Sequence, residues 1–305
     1  MRLFVSQTTL AKRISLDGVG LHTGKPIHID LLPADAGTGI VFKRTDVAAS
    51  SPIEAHVLNI HSTDLNTTIG TNDLRVATIE HLMAAFAGLG VDNVIVKVNG
   101  PEVPVMDGSA QPFVDRILEA GICKQDSHRR VFVVKNACEL RQGDKWIRIE
   151  PADSTIFSME IDFRSRAIGR QTFEIDLGQK GFEEVVDSRT FCHVNDVNAM
   201  KKAGLALGGS LENAVVVSDD EVLNPEGLRC ADEFVRHKLL DCIGDMALLG
   251  GPFLGKITAY KSGHGLHASF LKLLWQKRTE VFSIVEDSYS ARVQDIAAAA
   301  HSLKP

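Results

Sequence analysis

The sequence predicts an α+β protein made of two similar domains, and three observations carry that prediction. The chain has 305 residues, enough for two ordinary domains with cores of their own. In each half the same signals follow one another: strand-like runs, a helix stopped by glycine, a further strand, a glycine turn and another helix. Hydrophobic residues make up 44% and charged residues 24%, which describes a globular chain and excludes a disordered or fibrous one.

The first half opens with the alternating runs KPIHIDLLPA, GIVFKRT and SPIEAHVLNI, followed by the polar HSTDLNTTIGTNDLR. A small β insertion is expected at about 41–70. From Thr78 the period changes, because TIEHLMAAFAGLG places Ile79, Met83, Phe86 and Ala87 at helical spacing and Gly88 with Gly90 supplies the stop. VDNVIVKVNG reads as a buried strand closed by an Asn-Gly turn, and QPFVDRILEAGI as a second helix stopped by Gly121. Charge then replaces pattern from Lys124 to Arg130, which places the domain boundary there, with domains at 1–125 and 130–305.

The second half begins with the strands VFVVKN, KWIRIEP and FSMEIDF and passes through a region of mixed character at about 188–222. It reaches the long helical pattern CADEFVRHKLLDCIGDMALLG, ended by Gly250-Gly251-Pro252. The strand FLGKITAY, the turn KSGHG and a helical segment containing ASFLKLLW follow. The tail SARVQDIAAAAHSLKP is helix-prone and expected to be peripheral.

Several classes are excluded. The net charge of −6 has the wrong sign for a protein whose main partner is nucleic acid. Cys123, Cys138, Cys192, Cys230 and Cys242 are odd in number and form no C-x-x-C pair, which argues against a disulfide framework or a thiolate zinc knuckle. The N-terminal stretch lacks the apolar core of a secretory signal. MALLGGPFLG is about ten residues long and glycine-broken, short of the roughly 18 that a spanning helix needs. A cytoplasmic monomer with no membrane span is the expectation.

Three places pair a histidine with carboxylates at a spacing that fixes geometry. His237 and Asp241 are four residues apart on a helix, so one face offers both to a single cation, and Asp245 continues the row. The alternative is a solvated stripe of i,i+4 ion pairs with Arg236 and Lys238. Glu80 and His81 open the other helix and point about 100° apart, which suits separate jobs: a ligand, and a base for water in metal-assisted hydrolysis. A Glu in a first helical turn is also favoured by the helix dipole alone. His264 lies in the glycine-flanked turn YKSGHG, where a cationic imidazole held by a carboxylate such as Asp245 could face a developing oxyanion. No H-E-x-x-H, Walker loop or G-x-S-x-G occurs, so a metal would need ligands from separate segments.

VGLHTG at 19–24, ATIEHLMAAFAGLGVDN at 77–93, PEVPVMDGSAQPFV at 101–114, SRTF at 188–191, LGGS at 207–210, DEFVRHKLLDCIGD at 232–245 and AYKSGH at 259–264 together resemble, in this order, the UDP-3-O-acyl-N-acetylglucosamine deacetylases. These are zinc amidases of lipid A biosynthesis. The resemblance implies two layered helix/sheet sandwiches with the active site between them. It implies that His81, His237 and Asp241 ligate Zn2+, with Fe2+ the other metal such a His/Asp set takes. Glu80 would be the base. His264, kept cationic by Asp245, would stabilise the oxyanion or protonate the leaving amine, and Thr190 would donate a hydrogen bond to the tetrahedral intermediate. The implied substrate is UDP-3-O-acyl-N-acetylglucosamine, losing its acetyl group as acetate. Lys238, Lys145 and Lys261 match residues near its phosphates, and Asp162 and Phe163 match positions that receive the uracil. The region 191–222 resembles a βαβ insertion that forms the acyl passage, with Phe191, Val194 and Val197 at its entrance. His193 stands where an apolar aromatic is expected, and His22 and Asp107 are expected in supporting roles. A protein that only bound the nucleotide sugar would have no use for Glu80, Thr190 and His264.

Overall fold

A computed structural model describes residues 6–179 and 181–285; the expected peripheral tail lies outside the described residues. In chain order the first half contains β1 (Ser6–Leu10), β2 (Ile14–Val19), β3 (Pro26–Pro33), β4 (Ile40–Arg44), β5 (Ile53–Glu54), β6 (Ile60–Ser62), β7 (Thr68–Gly70), β8 (Arg75–Val76), α1 (Glu80–Leu89), β9 (Val94–Val98) and α2 (Gln111–Ala120). The second contains β10 (Ile122–His128), β11 (Val131–Val134), β12 (Cys138–Gln142), β13 (Lys145–Glu150), β14 (Thr155–Asp162), β15 (Arg170–Asp176), β16 (Phe191–His193), α3 (Val194–Lys202), β17 (Val215–Val217), α4 (Glu233–Met246), β18 (Phe253–Tyr260), α5 (His264–Gln276) and β19 (Phe282–Val285).

The main sheets repeat one topology. In the first, the order is β2-β3-β9-β4-β5, with β9 antiparallel to β3 and parallel to β4. In the second, β12 pairs with β13, β13 with β18, β18 with β14 and β14 with β15, and β18 is antiparallel to β13 and parallel to β14. The central strand of each sheet is therefore the one that follows the first long helix, α1 or α4. A parallel neighbour requires such a crossover, whereas the hairpins β2–β3 and β12–β13 need only a turn. The second sheet is extended through β11 and β19 at the start of β18.

The helices form where apolar positions recur at helical spacing. α1, EHLMAAFAGL, contains no β-branched residue and buries Leu82, Met83, Ala85 and Phe86. It stops at Gly90, whose φ of 68° is left-handed and whose N–H caps Phe86 and Ala87. α4 buries Phe234, Leu239, Leu240 and Ile243 and is followed by a 3₁₀ turn that stops at Gly250. Fully buried side chains such as Leu239 and Leu240 each contribute about 2 kcal/mol by leaving water. α4 also packs on β14 and β15, and α5 on β12 and β13, so each layer covers its sheet.

The two halves meet where α1 crosses α4, and the crossing is close. A Cβ at Gly244 would sit 1.9 Å from the Glu80 carbonyl oxygen. Glycine at this point brings the first turn of α1 against the middle of α4, which places residues of both helices in one site.

Two segments of the sequence take a definite form here, and one reading is corrected. Most of the polar stretch 124–130, where the domain boundary is expected, belongs to strand β10, antiparallel to β1 with Leu10 opposite Ile122. Gln125 accepts from Asn93 at 2.8 Å and donates to the Ala34 carbonyl at 2.8 Å, and Lys124, Asp126 and His128 are exposed, so apolar alternation is missing although the backbone is paired. Of the stretch 41–70, expected as a small β insertion, β4 and β5 pair within the main sheet, and β6 and β7 form a separate small sheet with β8. His264 is not in a turn but is the first residue of α5, after extended Gly263.

Candidate active site and metal centre

The crossing of α1 and α4 assembles a buried polar cluster inside the apolar core. Twelve of the 14 residues of α4 are buried, which excludes the solvated-stripe reading of His237, Asp241 and Asp245. His81 Nε2 and His237 Nε2 lie 3.4 and 3.3 Å from Asp241 Oδ1. The ligating atoms of these three side chains all fall within 4.8 Å of one another. His237 Nδ1 donates to the Ser188 carbonyl at 3.0 Å, so its Nε2 keeps the lone pair that points into the cluster. Burial pushes the His237 imidazole down to about 4 despite the Asp241 charge beside it, so the ring is neutral, as a ligand must be.

These residues fit a divalent cation. Asp241 Oδ1 is buried and has no hydrogen-bond partner, a costly state for a carboxylate oxygen that a cation between it and the two imidazoles would relieve. Two imidazoles and one carboxylate form the three-residue donor set typical of a catalytic rather than a structural site. Asp241 Oδ2 accepts from Lys238 Nζ at 2.6 Å. Burial opposes the Asp241 charge, but His237, Lys238 and His264 outweigh it and hold the carboxyl well below its ordinary range.

A second set of groups lines the same space. His264 Nδ1 donates to Asp245 Oδ2 at 2.8 Å, while its Nε2 lies 3.9 Å from Glu80 Oε1 and 3.8 Å from Asp241 Oδ2. Burial would neutralise this imidazole, yet Asp245 and Asp241 overcome it and raise it to about 9, so His264 is cationic at neutral pH. Glu80 is buried at the N-terminus of α1, and its Oε2 accepts the Thr67 N–H at 3.0 Å. Burial raises its carboxyl above the ordinary value against the pull of His264 and His81, which moves a carboxylate toward the basicity a proton acceptor needs. Thr78, a β-branched residue at φ 57°, stands two positions earlier. That strained conformation is kept where α1 starts, beside Glu80 and His81.

The sequence model of the UDP-3-O-acyl N-acetylglycosamine deacetylase family matches residues 7–276. The chain belongs to this family. It is 44% identical over 282 residues to the UDP-3-O-acyl-N-acetylglucosamine deacetylases of Brucella melitensis biotype 2, Brucella ovis and Brucella abortus strain S19, covering 92% of this chain and 98% of each relative.

Around the cluster, the other residues that the deacetylase resemblance singles out fall into two groups. Lys261 Nζ lies 3.1 Å from both Asp162 and Asp144, and Tyr260 Oη donates to Asp162 at 3.3 Å. Hydrogen bonds from Lys261 to Asp162 and Asp144 raise its ammonium above the ordinary range and lower Asp162. Phe163 is 40% exposed and packs edge-on at 5.5 Å against Phe191, which in turn lies 6.1 Å from the His237 ring. An aromatic path thus joins the exposed edge to the buried centre. Lys145 is exposed at the β12–β13 turn beside Asp144, and among the described residues nothing ties it to the cluster directly. Phe191 is on β16, and Val194 and Val197 are on α3, which with the parallel strand β17 forms a βαβ unit. Thr190 is held by its backbone, donating to the Gly108 carbonyl and accepting from Val215 N–H.

His193 caps α3, its Nδ1 accepting from Asn195 N–H at 3.2 Å, and its Nε2 is 3.2 Å from Asp219; it joins neither ligand cluster. His22 is buried with both ring nitrogens unpartnered, and Asp107 accepts from Arg229 at 2.8 Å. A cavity of about 1000 Å³ between the halves touches Met83, Phe86, Ile243 and Met246, and none of the cluster residues.

Sequence reasoning missed several members. His267 donates to Asp245 Oδ2 at 2.7 Å, and Thr67 donates to Asp245 Oδ1 at 2.5 Å. His267 sits three residues after His264 on α5, a spacing that could have marked it. Nothing local marks Thr67, which lies 178 positions from Asp245 in sequence.

Proposed function

We propose that the protein hydrolyses the N-acetyl group of UDP-3-O-acyl-N-acetylglucosamine, releasing acetate and the free amine in the committed step of lipid A biosynthesis. The observation that carries this reading is the placement of a cationic His264 and a buried Glu80 3.9 Å apart beside a His81, His237 and Asp241 donor set, in a member of a deacetylase family. An amide is a weak electrophile with a poor leaving group, so its hydrolysis needs both an activated water and a proton for the departing nitrogen.

His81, His237 and Asp241 would hold Zn2+, or Fe2+ in its place. When bound there, the metal supplies Lewis-acid polarisation of the acetamide carbonyl and lowers the pKa of water. Glu80 Oε1 takes the proton from the attacking water. Thr190 donates to the oxygen of the tetrahedral intermediate, where negative charge develops. His264, oriented at Nδ1 by Asp245, presents Nε2–H to the leaving nitrogen and donates its proton as the C–N bond breaks. His264 itself, with help from His267, keeps Asp245 ionised against its burial, and the hydrogen bonds from His267 and Thr67 fix its orientation.

The substrate supplies a uracil, a diphosphate and an acyl chain, and the surface beside the cluster offers matching chemistry. Asp162 and Phe163 would receive the uracil by hydrogen bonding and stacking. Lys238, Lys261 and Lys145 would face the diphosphate, and Phe191, Val194 and Val197 the start of the acyl chain. Each methylene buried there contributes about 0.8 kcal/mol. Among the described residues no helix is long and apolar enough to cross a membrane. The reading takes the enzyme to work in the cytoplasm, as a monomer, with domains at about 1–125 and 130–305.

The test is acetate release from UDP-3-O-acyl-N-acetylglucosamine by metal-stripped protein before and after one equivalent of Zn2+. Release that returns with Zn2+ supports the reading. No release by the reloaded, folded protein across several acyl lengths would overturn it.

A further inference from the structure

We propose that Glu233 and Arg189 are positioning residues for the metal ligand His237, acting through the peptide group between Ser188 and Arg189; the inference rests on the metal-centre reading above. That peptide lies along α4 and is held at both ends by residues four apart on the helix. Its carbonyl, from Ser188, accepts His237 Nδ1–H at 3.0 Å, and its N–H, from Arg189, donates to Glu233 Oε1 at 3.0 Å. C=O and N–H of a trans peptide point in opposite directions, so two partners one helical turn apart can grip both groups at once.

The grip is reinforced from the side chain. Arg189 Nε donates to Glu233 Oε1 at 2.8 Å and its Nη2 to Oε2 at 3.2 Å. Its remaining donors reach Glu226 Oε1 at 2.7 Å and the Gly227 carbonyl at 2.8 Å. Glu233 Oε2 also accepts the Arg229 N–H at 2.7 Å. Glu233 is 0% exposed and the Arg189 side chain 3%. A charge pair this dry is costly to assemble, and replacing it with apolar residues commonly leaves stability unchanged or improved. Its presence next to a ligand therefore points to placement rather than to stability.

The consequence for His237 is chemical. The Ser188 carbonyl demands a proton on Nδ1 and thereby leaves Nε2 free to ligate. Once the N–H end of the peptide is released, the carbonyl is free to turn away, and the ring is free to place its proton on Nε2, the tautomer with no lone pair facing the other ligands. The row Glu233, His237, Asp241 and Asp245 then has a distinct task at each turn: clamp, ligand, ligand, and orienter of His264.

The experiment measures the Zn2+ dissociation constant by chelator competition, the thermal midpoint of the metal-free protein and the Co2+ absorption spectrum. In the double variant R189M/E233L, which removes both charges, Zn2+ affinity is expected to fall about 10- to 100-fold, the range for loss of a partner behind a ligand, with the Co2+ bands shifted and the metal-free midpoint close to wild type. In Arg189→Lys, which keeps the cation and the peptide N–H bond to Glu233, the loss of affinity is expected to be smaller than in the double variant. Wild-type affinity in a folded double variant would overturn the proposal, and so would a loss in Arg189→Lys as large as in the double variant. If the double variant lacks a cooperative transition, Glu233→Gln decides: weaker Zn2+ binding supports the proposal and unchanged binding overturns it. Failure of the metal-centre reading looks different, since wild type and His237→Ala would then bind Zn2+ equally.

Discussion

In the first half of the molecule α1 is apolar beyond its first turn, where Glu80 and His81 stand side by side; in the second half α4 buries Glu233, His237, Asp241 and Asp245 at every fourth position. The sheets beneath them share one strand order, with β9 and β18 in equivalent central places. The same architecture thus hosts two different helix interiors. α4 tolerates a buried polar row because each member has a partner: Arg189, the Ser188 carbonyl, Lys238, and the pair His264 and His267. α1 contributes its two polar residues only at an end, where a carboxylate is favoured by the exposed N–H groups. Buried polar groups are thus distributed unevenly over two halves with one sheet topology, because a buried polar row needs partners from many segments.

The asymmetry can be broken at its chemical end first. Asp245→Asn removes the charge that holds His264 cationic, and acetate release is expected to fall about 100- to 10,000-fold, the range for loss of general acid catalysis, while Zn2+ content by atomic absorption is retained. A rate within a few-fold of wild type would remove Asp245 from the account. Packing, in contrast, is expected to be symmetric. Phe86→Ala in α1 and Leu240→Ala in α4 should each cost about 3–4 kcal/mol in urea unfolding of the metal-free protein, because each empties a fully packed position. A cost confined to one half would show that the halves do not share a core.

The crossing itself is tested by Gly244→Ala. Alanine is the better helix former by about 1 kcal/mol, yet its Cβ would meet the Glu80 carbonyl at 1.9 Å, so destabilisation of about 1–3 kcal/mol is expected from overpacking. Stabilisation would mean the helices are not in close contact there. Smaller still is the pH effect of the α4 clamp. Burial raises the Glu233 carboxyl, but hydrogen bonds from Arg189 and from the backbone N–H groups of Arg189 and Arg229 outweigh it and hold the folded value below the ordinary 4.5. A lowered carboxyl stabilises the fold fully above the unfolded value, and that stability is lost as pH falls through the folded value. Acid unfolding of the metal-free protein should therefore be steeper below pH 4.5 in wild type than in R189M/E233L. Equal slopes would contradict the ion pair. At the bottom of the scale, Arg116→Ala removes an exposed i,i+3 pair with Glu119 and should change stability by less than about 0.5 kcal/mol.

Much of this organisation is legible in the residues. α1, α2 and α4 announce themselves by apolar spacing and a glycine stop, and β9 and β18 by short apolar runs after a helix. The pairing of His237 with Asp241 is legible from their spacing, but their burial is not, because a helix row of His, Asp and Lys reads equally well as a wet face. Only the close crossing at Gly244 decides between the two. Ser188 contributes a carbonyl, which every residue possesses, and Thr67 reaches Asp245 across 178 positions, so neither leaves a local signature. β10 is hidden because most of its side chains are polar and exposed instead of packed.

The central claim is that metal binding and proton transfer are divided between neighbouring residues of the crossing helices. Zn2+ content and acetate release should be measured together in wild type, Glu80→Ala and His237→Ala. The account predicts full metal and almost no release in Glu80→Ala, and loss of both in His237→Ala. Equal metal loss in the two variants, or substantial release by Glu80→Ala, would contradict it.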